Sequence, residues 1–154
     1  MKDTDIAWCA GFFDGEGHVS YHRSPPSKTG TVSPQLYAVI PQASENIEVL
    51  EFFQSVIGFG NIKGPYPMPS GKPQHRLHYG VNEVQALFII LKPYLRADKT
   101  RDFQKALASY WTHDPSINED DQIKTVKRNK KKGCPECGDK EWNGLLCFKC
   151  GYIM

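Results

Sequence analysis

Two groups of residues in this chain have types and spacing suited to chemistry. The first is centred on Glu16, at the end of the stretch Trp8-Cys9-Ala10-Gly11-Phe12-Phe13-Asp14-Gly15-Glu16-Gly17. Ala7, Ala10, Gly11 and Asp14 recur at three- and four-residue spacing, which places them on one face of a helix. A face so bare lets a second backbone approach closely, and Gly11 would otherwise cost about 1 kcal/mol against Ala in mid-helix. Gly15 and Gly17 are expected to supply positive φ for a sharp exit from the helix. Glu16 then lies at the negative end of the helix dipole, where an anion is least favoured and a divalent cation would offset it. A calcium loop does not account for the pattern, since the twelfth position counted from Asp14 is Pro25 where a bidentate Glu is required. The second group is Cys134, Cys137, Cys147 and Cys150, in C-x2-C-x9-C-x2-C spacing. Four thiolates so spaced can close a tetrahedral Zn2+ site, structural because no coordination position stays open.

The stretch CAGFFDGEG resembles the signature of the LAGLIDADG homing endonucleases, matching its Ala-Gly, its acidic sixth and eighth positions and its closing Gly. The resemblance implies that two such helices pack at a two-fold or pseudo-two-fold axis. It also implies that the eighth-position carboxylates bind Mg2+ beside the scissile phosphates, with Ca2+ substituting without supporting cleavage. By position Glu16 is then the metal ligand, with Gly15 beside it. Asp14, at the sixth position, falls to helix-end or interface structure. The family places a Gln at the end of the second strand, which here is Gln42. It also places a basic pair near the start of the last helices. In KPYLRADKTRDFQKAL the first of that pair is Asp98, so Lys99 is the nearest survivor, with Arg96 and Arg101 as competitors. The single copy of the motif implies a homodimer through the first helix, and a palindromic or near-palindromic DNA site.

The remainder of the chain sets the frame for these groups. A length of 154 residues suits one core-bearing domain with an appendage, and 40% hydrophobic with 23% charged residues is a globular composition. No apolar run approaches a membrane span and no signal segment opens the chain, so an intracellular protein without a membrane partner is expected. Cysteines in metal spacing suit a reducing compartment. The formal net charge of +2 does not argue for nucleic acid. Its distribution does, because Lys124, Lys127, Arg128, Lys130, Lys131 and Lys132 crowd together.

The elements that must hold Glu16 follow from periodicity. After a first helix for which Asp3, Thr4 and Asp5 offer N-caps and favourable negative charge, residues 17–23 alternate Val19 and Tyr21 against His18, Ser20 and His22, as a half-buried strand does. Pro25, Pro26 and Gly30 mark a turn. A return strand over 31–42 lines the core with Val32, Leu36, Ala38 and Ile40 and turns Ser33, Gln35, Tyr37 and Val39 outward. Pro34 confines part of that strand to an edge or irregular position. Ser44 is expected to cap a helix over 45–57 that buries Val49, Leu50, Phe52, Phe53, Val56 and Ile57 and ends at Gly58. A second hairpin carries Lys63, then Arg76 and His78 alternating with Leu77, Tyr79 and Val81. Asn82 and Gln85 suggest a capping box for a helix over 83–92, broken by Pro93, and a last helix spans 98–111.

The order is therefore α-ββ-α-ββ-α-α, an α+β fold with helices on one face of a four-stranded antiparallel sheet. His18, Ser20, His22, Arg23, Lys28, Gln35, Tyr37, Lys63, Arg76 and His78 belong to the other face or its loops. A solvated sheet usually carries Glu, Lys and Thr, whereas neutral amides, His and Arg are the set that reads base edges and phosphates. The family resemblance covers residues 5–111 and implies this same order, with the sheet saddling the major groove of double-stranded DNA. Residues 1–112 are thus read as an endonuclease domain, and 113–133 as a polar then basic linker in which Lys127, Arg128 and Lys130 could meet phosphate. Residues 134–154 resemble a zinc ribbon supported by Trp142, Leu146 and Phe148. No small-molecule cofactor is indicated. The implied activity is Mg2+-dependent cleavage of a long DNA site in the service of intron mobility. A non-cleaving binder on the same scaffold, a splicing maturase or a transcriptional regulator, is the alternative. An RNA-binding zinc-ribbon protein is disfavoured for want of clustered sheet aromatics.

Overall fold

The computed structural model describes residues 2–24, 28–30, 33–112, 133–134, 136–138, 147 and 150. Helix α1 (Asp3–Glu16) leads into strands β1 (His18–Arg23) and β2 (Pro34–Ala43). A short 3-10 turn (Ser44–Asn46) precedes helix α2 (Ile47–Ile57), strands β3 (Asn61–Tyr66) and β4 (Gln74–Tyr79), and helices α3 (Val81–Leu91) and α4 (Ala97–Thr112). The expected α-ββ-α-ββ-α-α order is present. The strands form one four-stranded sheet in the order β1-β2-β4-β3, so β2 and β4 are central and β3 is an edge. Pro34 is the first residue of β2, a position that asks nothing of its missing N–H.

Two compact units are distinguished. The first comprises Met1–Ser20 and Leu36–Phe103, the second Tyr21–Gln35 and Gln104–Met154. In the first, period-two alternation buries Leu36, Ala38 and Ile40 of β2 and Leu77 and Tyr79 of β4. Against them lie Phe13 of α1, Leu50, Phe53 and Ile57 of α2, and Leu87, Phe88 and Leu91 of α3. Phe103 closes this core, stacked on Phe88 with ring centroids 5.1 Å apart and tilted against Phe13 at 5.1 Å. In the second unit Ala106 and Leu107 are buried, and the Tyr110 and Trp111 rings meet edge to face. Among the described residues no helix is long and apolar enough to cross a membrane.

Several local expectations are corrected. Asp3, Thr4 and Asp5 lie within the first turn of α1, whose N-cap is Lys2. Ser44 does not cap α2, because its hydroxyl lies 2.8 Å from His75 Nδ1 and the chain makes a 3-10 turn before the helix begins. Phe52 is 44% exposed rather than buried, since Leu50, Phe53 and Ile57 already occupy the core-facing side of α2. Helix α3 begins at Val81, two residues early. Its reciprocal cap is Glu83, whose carboxylate accepts the Gly80 N–H at 2.8 Å, not the Asn82/Gln85 pair. Val32, residues 113–132 and the apolar supports Trp142, Leu146 and Phe148 lie outside the described residues.

Candidate functional site

Helix α1 ends at Glu16, and its carboxylate is exposed. Neither Gly15 nor Gly17 takes a positive φ, contrary to expectation. Gly17 leaves the helix directly into extended backbone (φ −78°, ψ 147°). Glycine is required there for space, because a Cβ would lie 2.5 Å from the Phe13 ring, inside contact distance. With Phe13 fully buried that ring cannot yield, so Gly17 and Phe13 together fix where α1 stops.

One basic group is fixed at that end. The Lys99 ammonium, at the start of α4, donates a 2.8 Å hydrogen bond to the Gly17 carbonyl and lies 5.9 Å from the Phe13 ring centroid. It places a fixed positive charge at the negative end of the α1 dipole, beside the backbone of Glu16. Asp14 does different work. Its two carboxylate oxygens accept the Arg96 backbone N–H at 3.3 and 3.1 Å, tying α1 to the turn before α4. The Arg96 side chain points instead to Asp98, at 3.6 Å, and Asp98 also accepts the N–H of Lys99. That N–H bond, reinforced by Arg96 and Lys99, keeps the Asp98 carboxyl below its ordinary pKa. Lys99 thus brings its charged group to the end of α1, whereas that of Arg96 is turned to Asp98.

Glu16, Gly15 and the carbonyls of the last turn offer only hard oxygen donors, a set that fits Mg2+ or Ca2+. Gln42 stands near the end of β2, opposite His75 of β4 and on the same side of the sheet as the buried Ala38 and Ile40.

The open side of α1 is turned slightly from the expected one. Ala10 is fully buried in the chain's own core and is removed from the candidate interface. Thr4, Trp8, Gly11 and Gly15 are exposed, flanked by half-buried Ala7 and Asp14. A Cβ on Gly11 would meet nothing within 4 Å. Trp8, 41% exposed, stacks on Phe12 at 5.2 Å and meets Phe52 edge-on at 5.0 Å, extending the open face with aromatic surface. Cys9 faces inward, where burial and then the charge of Asp5 push its thiol up to about 12.

The face of the sheet opposite its buried side carries the polar set. His18 and Ser20 alternate with buried Val19 on β1, with exposed His22 and Arg23 beyond them. Gln35 and Tyr37 alternate with the buried positions of β2, and Lys28 is exposed in the loop between these strands. On β4 and β3, Arg76 stands opposite Lys63, and His78 opposite Asn61. Tyr37, Val39, Lys63, Tyr66, Arg76 and His78 line a groove of about 380 Å3. The His78 ring stacks on Tyr37 at 5.8 Å, and burial, with Lys63 adding to it and Glu83 opposing, holds the imidazole below its ordinary pKa. Tyr66 and Gln74 are functional candidates that sequence periodicity missed, since a β-bulge between Lys63 and Tyr66 shifts the register. Lys127, Arg128 and Lys130 lie outside the described residues.

In the second unit the sulfur atoms of Cys134, Cys137, Cys147 and Cys150 all lie within 4.8 Å of one another, with Cys134–Cys150 at 3.5 Å and Cys137–Cys147 at 3.6 Å. Tetrahedral zinc with Zn–S bonds of about 2.3 Å needs sulfurs roughly 3.8 Å apart, so the cluster fits a zinc ribbon. Burial alone would raise the Cys134 thiol. The Cys137 and Glu136 N–H groups and the neighbouring thiols outweigh it and bring Cys134 down to about 7, toward the thiolate that metals bind.

No protein-family model matches this chain, and no curated protein matches it by sequence. Solved structures do. The homing endonuclease I-CvuI, in complex with the I-CreI target and Mg with its DNA not cleaved, superposes with a TM-score of 0.59 at 18% identity, over 73% of this chain and 69% of that one. The homing endonuclease I-TnaI matches with a TM-score of 0.57 at 22% identity, over 88% of this chain and 90% of that one. The LAGLIDADG meganuclease I-CpaMI, bound to uncleaved DNA, matches with a TM-score of 0.59 at 21% identity, over 86% of this chain but 46% of that one.

Proposed function

From a chain with the LAGLIDADG homing endonuclease fold, we propose a site-specific, metal-dependent DNA endonuclease that acts as a homodimer. The observation that carries this reading is the exposed Glu16 carboxylate at the end of α1, with the Lys99 ammonium held one residue away on the Gly17 carbonyl. Glu16 and the Gly15 carbonyl would hold Mg2+, which when bound polarises the scissile phosphate and supplies hydroxide at neutral pH. Lys99 would stabilise the negative charge that develops on the phosphate, and Gln42 would assist by hydrogen bonding. The polar sheet face would meet double-stranded DNA, as the sheet residues His18, Ser20, Tyr37, Lys63, Arg76 and His78 suit base edges and phosphates. One chain carries one copy of α1 and spans under half of I-CpaMI, while it spans nine-tenths of I-TnaI. Two copies clasped along Trp8, Gly11 and Gly15 would supply both carboxylates needed to cut both strands and would favour a near-palindromic site.

Within this reading residues 1–112 form the endonuclease domain, 113–133 link it, and 134–154 bind a structural Zn2+ through the four cysteines. The test is cleavage of a supercoiled plasmid carrying a site selected by the protein, with Mg2+, by the unsubstituted chain and by Glu16→Gln. Loss of nicking with DNA binding intact supports the reading; equal nicking by both proteins overturns it. Asp98, standing where the family resemblance implies a basic residue, favours a second reading, a binder that does not cleave, and binding without nicking by the unsubstituted chain would select it.

A further inference from the structure

Like charges placed directly opposite each other in a sheet repel, and folded proteins usually separate them or insert an acid. Here Lys63 of β3 and Arg76 of β4 are directly opposed on the polar face, and neither makes an ion pair among the described residues. The pair sits in the 380 Å3 groove, where Asp and Glu are absent from the lining. An acceptor-rich partner would relieve that repulsion.

The Arg76 side chain is also held still. Its guanidinium carbon lies 4.9 Å over the Tyr66 ring, and its Nε donates to Gln74 Oε1 at 3.0 Å. Both partners are local to the bulge that follows Lys63. Tyr66 pairs with Gln74, and Gly64 permits the close approach, since a Cβ there would lie 2.8 Å from the Gln74 carbonyl oxygen. A guanidinium held over an aromatic ring with its Nε committed keeps two terminal amino groups, and these make no hydrogen bond among the described residues. Two parallel N–H donors in a fixed plane match the O6 and N7 acceptors that a guanine presents in the major groove.

We propose that Arg76 reads a guanine in each half of the DNA site, and that Tyr66 and Gln74 are positioning residues that fix its guanidinium plane. The proposal rests on the reading that this sheet face meets duplex DNA. Tyr66 supplies a ring face, so Tyr66→Phe should preserve the arrangement while Tyr66→Ala should release it. Gln74→Ala would free Nε and let the fork rotate.

The experiment is selection of bound sequences from a random duplex pool by the full chain, followed by affinities against each base at the selected guanine, measured across a salt series. The unsubstituted protein should prefer guanine at one position per half-site by on the order of tenfold to a hundredfold. Arg76→Ala should abolish that preference and leave the others in place. Tyr66→Ala should relax it roughly fivefold with an unchanged salt dependence, and Tyr66→Phe should restore it. A uniform loss of affinity in Arg76→Ala, with a shallower salt dependence and every base preference intact, would make Arg76 a phosphate contact and overturn the proposal alone. Failure of the unsubstituted protein to enrich any duplex sequence would overturn the proposal together with the reading of the face.

Discussion

The Lys99 ammonium donates a 2.8 Å hydrogen bond to the Gly17 carbonyl, so a residue from α4 holds the backbone of the residue that follows Glu16. The same contact sets a positive charge at the negative end of α1, on the residue that follows Glu16. Lys99→Met should therefore act twice. It should slow cleavage on the order of a hundredfold to a thousandfold, as removal of a preorganised charge does, and lower stability by about 1 kcal/mol. Lys99→Arg should restore most of the stability and less of the cleavage. Single-turnover cleavage rates beside urea denaturation check both parts.

Asp14 and Glu16 are two acids in one motif with opposite structural commitments. Asp14 spends both oxygens on the Arg96 N–H, whereas Glu16 is exposed at the end of the helix. Asp14→Ala should cost about 2 kcal/mol of unfolding free energy, the scale of a charge-assisted hydrogen bond. Glu16→Gln should leave stability within roughly 0.5 kcal/mol. Urea denaturation of the two variants should show this contrast, and equal destabilisation would contradict the assignment of roles.

The motif glycines divide in the same way. Gly17→Ala forces a Cβ into the Phe13 ring and should destabilise by about 1–3 kcal/mol. Gly11→Ala meets open space and should be neutral or stabilising by up to about 1 kcal/mol for the isolated chain. If the open face of α1 is the seam between two copies, Gly11→Val should weaken association without harming the fold. Sedimentation velocity with a parallel thermal melt separates these effects.

What could be read from residue order and what could not follow from how far each feature reaches along the chain. The helix bearing Glu16, the alternation of Leu36, Ala38 and Ile40, and the cysteine spacing are local patterns, and each is present as expected. The reason for Gly17 was not legible, because it depends on the Phe13 ring being pinned by Phe103 from α4. That Ala10 faces the core rather than the open side is not legible either, because small residues give a helix face little hydropathy contrast, so the two sides differ by a rotation that only packing decides. Tyr66 escaped notice because the bulge after Lys63 breaks the two-residue period. Lys99 was distinguishable from Arg96 only once Asp98 was seen to take the Arg96 side chain.

Removing metal should leave the core of the first unit folded. If zinc holds the four cysteines, the purified chain should contain one zinc per molecule, and Cys147→Ser should abolish that content, as measured by elemental analysis. The helical far-ultraviolet signal of α1, α2 and α3 should persist in that variant, because the Phe13, Phe53, Phe88 and Phe103 core of the first unit contains no cysteine ligand. Collapse of the whole spectrum would show instead that the core requires the metal.

Cys9 predicts an alkaline sensitivity whose sign is fixed by its burial. Desolvation, and secondarily the charge of Asp5, raises its thiol from 9.0 to about 12, so the folded protein keeps the proton that an unfolded chain releases near pH 9. The unfolded state then binds fewer protons, and stability falls as pH rises from about 9 toward 12, by on the order of 1 kcal/mol per pH unit. Below about pH 8 the thiol is largely protonated in both states and contributes little slope. Tyr79, also raised mainly by burial, adds a second loss in the same direction at higher pH. Urea denaturation at intervals from pH 8 to 10.5 should show the decline in the native chain. Cys9→Ala should flatten the part that begins near pH 9, and parallel declines in the two proteins would assign the sensitivity to other groups.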